Sequence, residues 1–200
     1  MVLTQVEVGA TSKDVLRHIA ILNPNIISFE FSRYKPLQNV AEMRTEPDLK
    51  TKMTRHYPPQ AITRLHAPVV RSSQEPNFGL DITDGEIINL HSHVITNTGV
   101  LHIPMMDLDC SISDENLKAV GEYAKILGRE GVILQTGRSY HYYGFHLMSK
   151  SEWVDFIASS MLAKVCDIRY MAHKLKDGFI TLRITAGGMR NTEPKVVLVV

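Results

Sequence analysis

With 200 residues, 44% of them apolar and 22% charged, the chain has the make-up of one globular domain with room for a sizeable core. A formal net charge of +1 does not by itself advertise nucleic-acid binding, and no apolar run is long enough to cross a membrane. The opening MVLTQVEVGATSKDV lacks the charged and apolar regions of a signal peptide, which points to the cytoplasm. Cys110 and Cys166 are the only cysteines and have no metal-ligand spacing, so they read as two buried free thiols.

In chain order, Thr11-Ser12 is placed to cap a helix through Asp14 to Leu22, with Val15, Ile19 and Leu22 on one stripe. Ile26 to Ser32 alternates, with Ile27, Phe29 and Phe31 on one face and Ser28, Glu30 and Ser32 on the other, as in a half-buried strand. Pro36 to Asn77 is irregular and proline-marked, with room for a short helix around Asp48 to Thr54. Charge is uneven here: Arg33 to Arg71 holds eight basic residues (Arg33, Lys35, Arg44, Lys50, Lys52, Arg55, Arg64, Arg71) against Glu42, Glu46 and Asp48. Tyr34, His56 and Tyr57 are interleaved with them.

Asp84-Gly85 marks a turn before a strand from Ile87 to Thr96, and Asn97-Thr98-Gly99 turns the chain into a second strand, Val100 to Asp109. Pro104 belongs at a strand start, bulge or edge, so the firm part of that strand is Met105 to Asp109. Ser113 caps a helix over Asp114 to Leu127. Short strands at Val132 to Thr136 and Tyr140 to Met148 follow, and then Ser149-Lys150-Ser151-Glu152 forms a capping box for a helix bearing Trp153, Phe156 and Ile157. A short extended piece is expected around Cys166 to Met171, a strand at Phe179 to Thr185, and sheet pairing for Val196 to Val200. The fold class is therefore α+β. An antiparallel sheet with a split βαβ (βαββαβ) core spans 85–200, and an N-terminal αβ lobe with the basic loop spans 1–84, all in one domain.

Residues two apart on a strand share a face, so Asp107 and Asp109 point one way while Met106, Leu108 and Cys110 point to the core. Two carboxylates so close repel unless something positive lies between them, and a hard divalent ion is the usual answer; a solvent-facing acid pair at a strand end is the simpler alternative. Ser139 and His141 share a face in the same way, and both can donate to a phosphate oxygen, with Gly137 beside them allowing close backbone approach. The alternative for His141 is a structural histidine in an aromatic strand. Asp167 follows the apolar pair Val165-Cys166, and Arg183 is the one charge on the polar face of the last strand, suited to hold a phosphate or to pair with one of these acids.

Taken together, Met105-Met106-Asp107-Leu108-Asp109, Ser139-Tyr140-His141 and Val165-Cys166-Asp167, in that order on a split βαβ pattern, resemble the archaeo-eukaryotic primase superfamily. The likeness covers roughly Val100 to Thr185. It implies a metal-dependent nucleotidyltransferase of primase or polymerase type, acting in DNA replication or repair on nucleoside triphosphates with a DNA or RNA template. By that resemblance Asp107, Asp109 and Asp167 are catalytic and hold two divalent ions, Mg²⁺ or Mn²⁺. Ser139 and His141 grip the nucleotide's phosphates, and Arg183 supports them, with Lys174 and Lys176 as lesser candidates.

Two other readings compete. One is a catalytically degenerate primase-like or RNA-recognition-like module that binds nucleotide or nucleic acid, with Tyr140, Tyr142, Tyr143 and Phe145 available for stacking. The other is a histidine-based metal hydrolase built on His91, His93 and His102.

Overall fold

Thr11 ends an extended approach and starts the first helix, α1 (Ser12–Leu22). Its hydroxyl accepts the Asp14 amide, and the Asp14 carboxylate returns a bond to the Thr11 amide at 2.9 Å, so two otherwise unpaired donors are satisfied together. The computed structural model describes residues 6–34, 63–71, 76–77, 86–187 and 191–200. The expected helix at Asp48 to Thr54, the turn at Asp84-Gly85 and most of the basic stretch (Lys35, Arg44, Lys50, Lys52, Arg55, His56 and Tyr57) lie outside the described residues.

The strands in order are β1 (Ile26–Tyr34), β2 (Thr63–Pro68), β3 (Val70–Arg71), β4 (Pro76–Asn77), β5 (Ile87–Thr96), β6 (Gly99–His102), β7 (Met105–Leu108), β8 (Gly131–Gln135), β9 (Tyr140–Gly144), β10 (Thr181–Arg183) and β11 (Lys195–Val199). Three more helices are α2 (Asp114–Ile126), α3 (Lys150–Leu162) and α4 (Ile168–Asp177). One antiparallel sheet runs β10-β5-β1-β2, with β6 also on β5; a second runs β11-β8-β9-β7; β3 and β4 form a separate two-stranded ribbon.

The α+β class holds, but two antiparallel sheets stand where one was expected. The reason is local. The single strand expected from Val100 to Asp109 divides into β6, paired with β5, and β7, paired with β9. Ile103-Pro104 is the crossing point: Pro104 has no N–H to give a ladder, while its carbonyl accepts the Gly144 amide at 2.8 Å. Three further expectations are corrected. Ile27 is 52% exposed, because a register shift between Ile26 and Ser28 breaks the alternation and turns it outward. The extended piece at Cys166 to Met171 is a single bridge, Leu108 to Cys166, followed at once by α4. The strand expected at Phe179 to Thr185 shortens to β10 and pairs with β5 in the first sheet, not beside β7.

Helices α2 and α3 cover one face of the second sheet. Ser113, the cap of α2, exchanges hydrogen bonds with the Tyr140 hydroxyl; on α3, Phe156 meets Tyr142 and the Ser160 hydroxyl donates to Met106 Sδ at 3.0 Å. Capping boxes and buried Trp153 and Ile157 hold α3 in place. The opposite face, carrying Asp107, His141 and Tyr143, is thereby left on the side away from α2 and α3. Residues 9–11 run along β11: the Gly9 amide donates to the Val196 carbonyl and the Val196 amide to the Ala10 carbonyl, both at 2.8 Å.

Gly131 and Gly144 face each other across β8 and β9. A Cβ on Gly131 would stand 2.3 Å from the Tyr143 carbonyl oxygen, a main-chain atom that cannot swing aside. Gly131→Ala is therefore expected to cost about 1–3 kcal/mol of unfolding free energy, read as a lower urea midpoint at unchanged slope.

Candidate functional site

The site begins with a register. In the ladder between β7 and β9, Asp107 stands opposite His141, and His141 Nε2 lies 3.6 Å from Asp107 Oδ1. His141 is buried and Asp107 half-buried. The next pair, Leu108 with Tyr140, ends the ladder, so Asp109 and Ser139 flank its open end. On the other edge of β7, the Leu108–Cys166 bridge and the Asp109 amide donating to Val165 at 3.2 Å bring Asp167 beside Asp107. Asp107 and His141 thus form a paired patch on one face, with Asp167 beside Asp107, while Asp109 and Ser139 lie just beyond the ends of β7 and β9. The charge of that patch is felt nearby: burial first, then Asp167, with Asp107 and Asp109 adding, push the Cys166 thiol up to about 11. Cys166 is buried and Cys110 only partly so, and both are free thiols.

Each of these residues has a local duty as well. Asp167 is the N-cap of α4, its Oδ1 accepting the Tyr170 amide at 2.8 Å. Ser139 closes the turn between β8 and β9, its carbonyl accepting both the amide (3.0 Å) and the hydroxyl (3.1 Å) of Thr136. Gly137 in that turn has φ +103°, a conformation other residues rarely adopt. Arg183 belongs to the other sheet. It is buried, and its guanidinium donates to the carbonyls of Thr185, Thr192 and Thr136. Lys174 pairs with Asp177 at 3.1 Å and lies over the rings of Tyr170 and Phe179, while Lys176 is exposed.

A family model described as archaeo-eukaryotic primase 1D-like matches residues 77–196, more than half of the chain. The chain belongs to this primase-like family. No curated protein and no solved structure matches it. The matched segment runs from β4 into β11 and takes in Asp107, Asp109, Ser139, His141 and Asp167, together with Arg183.

Primase-like proteins typically use divalent metals, and carboxylates are the right kind of donor for a hard cation. Among the described residues, though, no three His, Cys, Asp or Glu side chains converge as ligands of one ion. The reason is visible in two of the acids. Asp107 is turned toward His141 and Asp167 toward the first turn of α4. The donor set thus fits a hard ion in chemistry, while two of its three carboxylates, those of Asp107 and Asp167, are engaged with protein partners.

The aromatic residues that a base-stacking sheet would present are not available. Tyr140, Tyr142, Tyr143 and Phe145 are all buried, so the stacking version of a binding module is overturned. For two of them the burial has a plain cause, since Tyr140 and Tyr142 face the helices.

The histidines form a second cluster, on the first sheet. His91 Nδ1 and His93 Nδ1 lie 3.7 and 3.4 Å from the same Glu30 oxygen, and His93 Nε2 donates to the Gly178 carbonyl at 3.0 Å. His91 stacks on Phe179 and His102 on Trp153. Burial pushes His91 down to about 4 against the pull of Glu30, and burial, with His93 and Lys150 adding, does the same to His102. Glu30 is the member that sequence reasoning missed. Its signal was its place on the polar side of β1, the strand paired with the one bearing both histidines.

Two outcomes follow. Asp167→Ala is expected to lower the unfolding free energy by about 1 kcal/mol through loss of the cap, whereas Asp167→Asn, an equally good cap, stays near wild type in the same denaturant titration. For His102, the unfolded imidazole takes a proton near pH 6.5 and the folded one only near 4. Its contribution is therefore whole above about 6.5 and is lost as pH falls toward 4. Urea melts of His102→Gln across that window should show a shallower decline than wild type; parallel declines would count against the assignment.

Proposed function

We propose that the chain is a metal-dependent nucleotidyltransferase of primase type, adding nucleotides from nucleoside triphosphates on a DNA or RNA template. The observation that carries this reading is the register that sets Asp107 opposite His141, with the Cys166 bridge bringing Asp167 beside Asp107. Their chemistry and order along the chain are those of the primase motifs that the sequence resembles. The strand order β8-β9-β7 with the Cys166 bridge outermost, and α2 and α3 on one face, supports the reading of a split βαβ core within residues 85–200.

In this reading Asp107, Asp109 and Asp167 hold two divalent ions, Mg²⁺ or Mn²⁺. Such ions, when bound, offset the charge that gathers on a transferring phosphate. The protein's own residues do the rest. Ser139 and His141 donate to phosphate oxygens from a strand end fixed by β7 and β8. The Asp107 carboxylate, 3.6 Å from His141 Nε2, orients that ring toward the patch. The basic stretch from Arg33 to Arg71 supplies a salt-dependent contact for a template backbone.

A second reading has its own observation. The engagement of Asp107 with His141 and of Asp167 with the α4 amide suits a primase-like domain that binds nucleotide without transferring it. Metal response separates the two. With Mn²⁺ and a primed template, the chain is expected to incorporate nucleotides, and Asp107→Ala to lower the rate by about 100-fold or more. Mn²⁺ should also raise the melting temperature of wild type but not of Asp107→Ala, since an ion that binds only the folded state stabilises it. Nucleotide binding that is indifferent to Mn²⁺ would select the second reading; no incorporation together with no nucleotide binding would sink both.

A further inference from the structure

We infer that Arg183 is a positioning residue for the site: it fixes the turn that presents Ser139 and His141, and it does not itself grip the ligand's phosphates. The nature of that ligand rests on the nucleotidyltransferase reading; the fixing of the turn does not.

Arg183 sits on β10 of the first sheet, opposite Asn89, with Leu182 buried in the core beside it. Only 5% of the residue is exposed. Its Nη1 donates to the carbonyls of Thr185 at 2.5 Å and Thr192 at 2.6 Å, and its Nη2 to the carbonyl of Thr136 at 2.7 Å. Both protons of Nη1 are thereby used, and the three acceptors belong to three separate segments: the exit of β10, the approach to β11, and the turn between β8 and β9. Hydrogen bonds from a charged donor are the strong kind, and the planar fork of arginine fixes their directions.

The bond to Thr136 matters because of what Thr136 holds. Its amide and hydroxyl both donate to the Ser139 carbonyl, so Arg183, Thr136 and Ser139 form one continuous chain of hydrogen bonds. The second wall of the turn is held by the same guanidinium. A Cβ on Gly137 would stand 3.4 Å from Thr192 Oγ1, which places Thr192 directly against the turn, and the Thr192 carbonyl is another acceptor of Arg183. One buried cation in the first sheet thus sets the geometry of the strand end in the second sheet, two residues before His141.

The experiment compares wild type, Arg183→Lys and Arg183→Met by amide hydrogen exchange at 136–139 and by affinity for a nucleoside triphosphate and its monophosphate. Exchange in the turn is expected to rise by about 10-fold or more in both variants, with α3 and β5 unchanged, because lysine keeps the charge but not the three-way fork. Affinities for triphosphate and monophosphate should fall together, their ratio staying within about 2-fold of wild type. A direct phosphate grip predicts the reverse: a triphosphate affinity that drops about 10-fold while the monophosphate is unaffected, with recovery in Arg183→Lys. That result, or unchanged exchange in the turn, overturns the inference. Should Arg183→Met fail to fold, Gly137→Ala strains the same turn without touching Arg183 and is expected to lower both affinities alike; a normal pair of affinities there would also overturn it. If wild type binds neither nucleotide, the nucleotidyltransferase reading fails, and the exchange measurements alone still decide the role of Arg183.

Discussion

The antiparallel pairing of β7 with β9 is the constraint on which the site depends. Slipping that pairing by one residue would send Asp107 and His141 to opposite faces and put Met106 on the polar side. The slip is opposed by burial. Met105, Met106, Leu108, Tyr140, Tyr142 and Tyr143 are all nearly inaccessible, so the apolar side chains on both faces of this short ladder each have a specific place to fill. The polar patch is therefore positioned by the apolar residues between its members more than by contacts of its own.

Much of this was legible in the residue pattern, because alternation and capping are local. Thr11 and Ser149 begin helices as their capping boxes say, and β5 runs over the span that its apolar content and the following turn imply. Parity alone pairs Asp107 with Asp109, and Ser139 with His141. What parity cannot supply is which strand lies beside which. The meeting of Asp107 with His141 comes from the β7–β9 register, and the approach of Asp167 from the Cys166 bridge, both long-range facts. The same gap explains the misplaced last strand. Ile180, Leu182 and Ile184 do form a buried row, but nothing in a period-two pattern says that their neighbour is β5 rather than β7. Asp167 was read as an acid at a strand end, and it is also a helix cap, a duty that aspartate performs at many positions for purely local reasons.

Arg183 and the histidine cluster show a common limit. A charged or titratable side chain on the polar face of a strand reads as a ligand group until the covering layer is known. Here α4 and the segment after it close over that face of the first sheet: Tyr170 donates its hydroxyl to the Thr181 carbonyl, and Phe179 lies on His91. Enclosure turns such groups to inward work. His91 and His102 are held neutral by burial, and Arg183 satisfies main-chain carbonyls that water cannot reach.

The strip of chain at residues 9–11 that borders β11 bears on how the fold is reached. Thr11 bridges Lys195, so the outermost row of the second sheet joins segments from nearly opposite ends of the described sequence. A contact of that span gains little until most of the intervening chain is ordered, which marks it as a late event in folding. Without it, β11 presents an unguarded ladder edge, the kind of surface on which chains cross-pair and aggregate. The bonds of Gly9 and Ala10 to Val196 thus guard this edge in the folded chain, a duty separate from anything they add to the core.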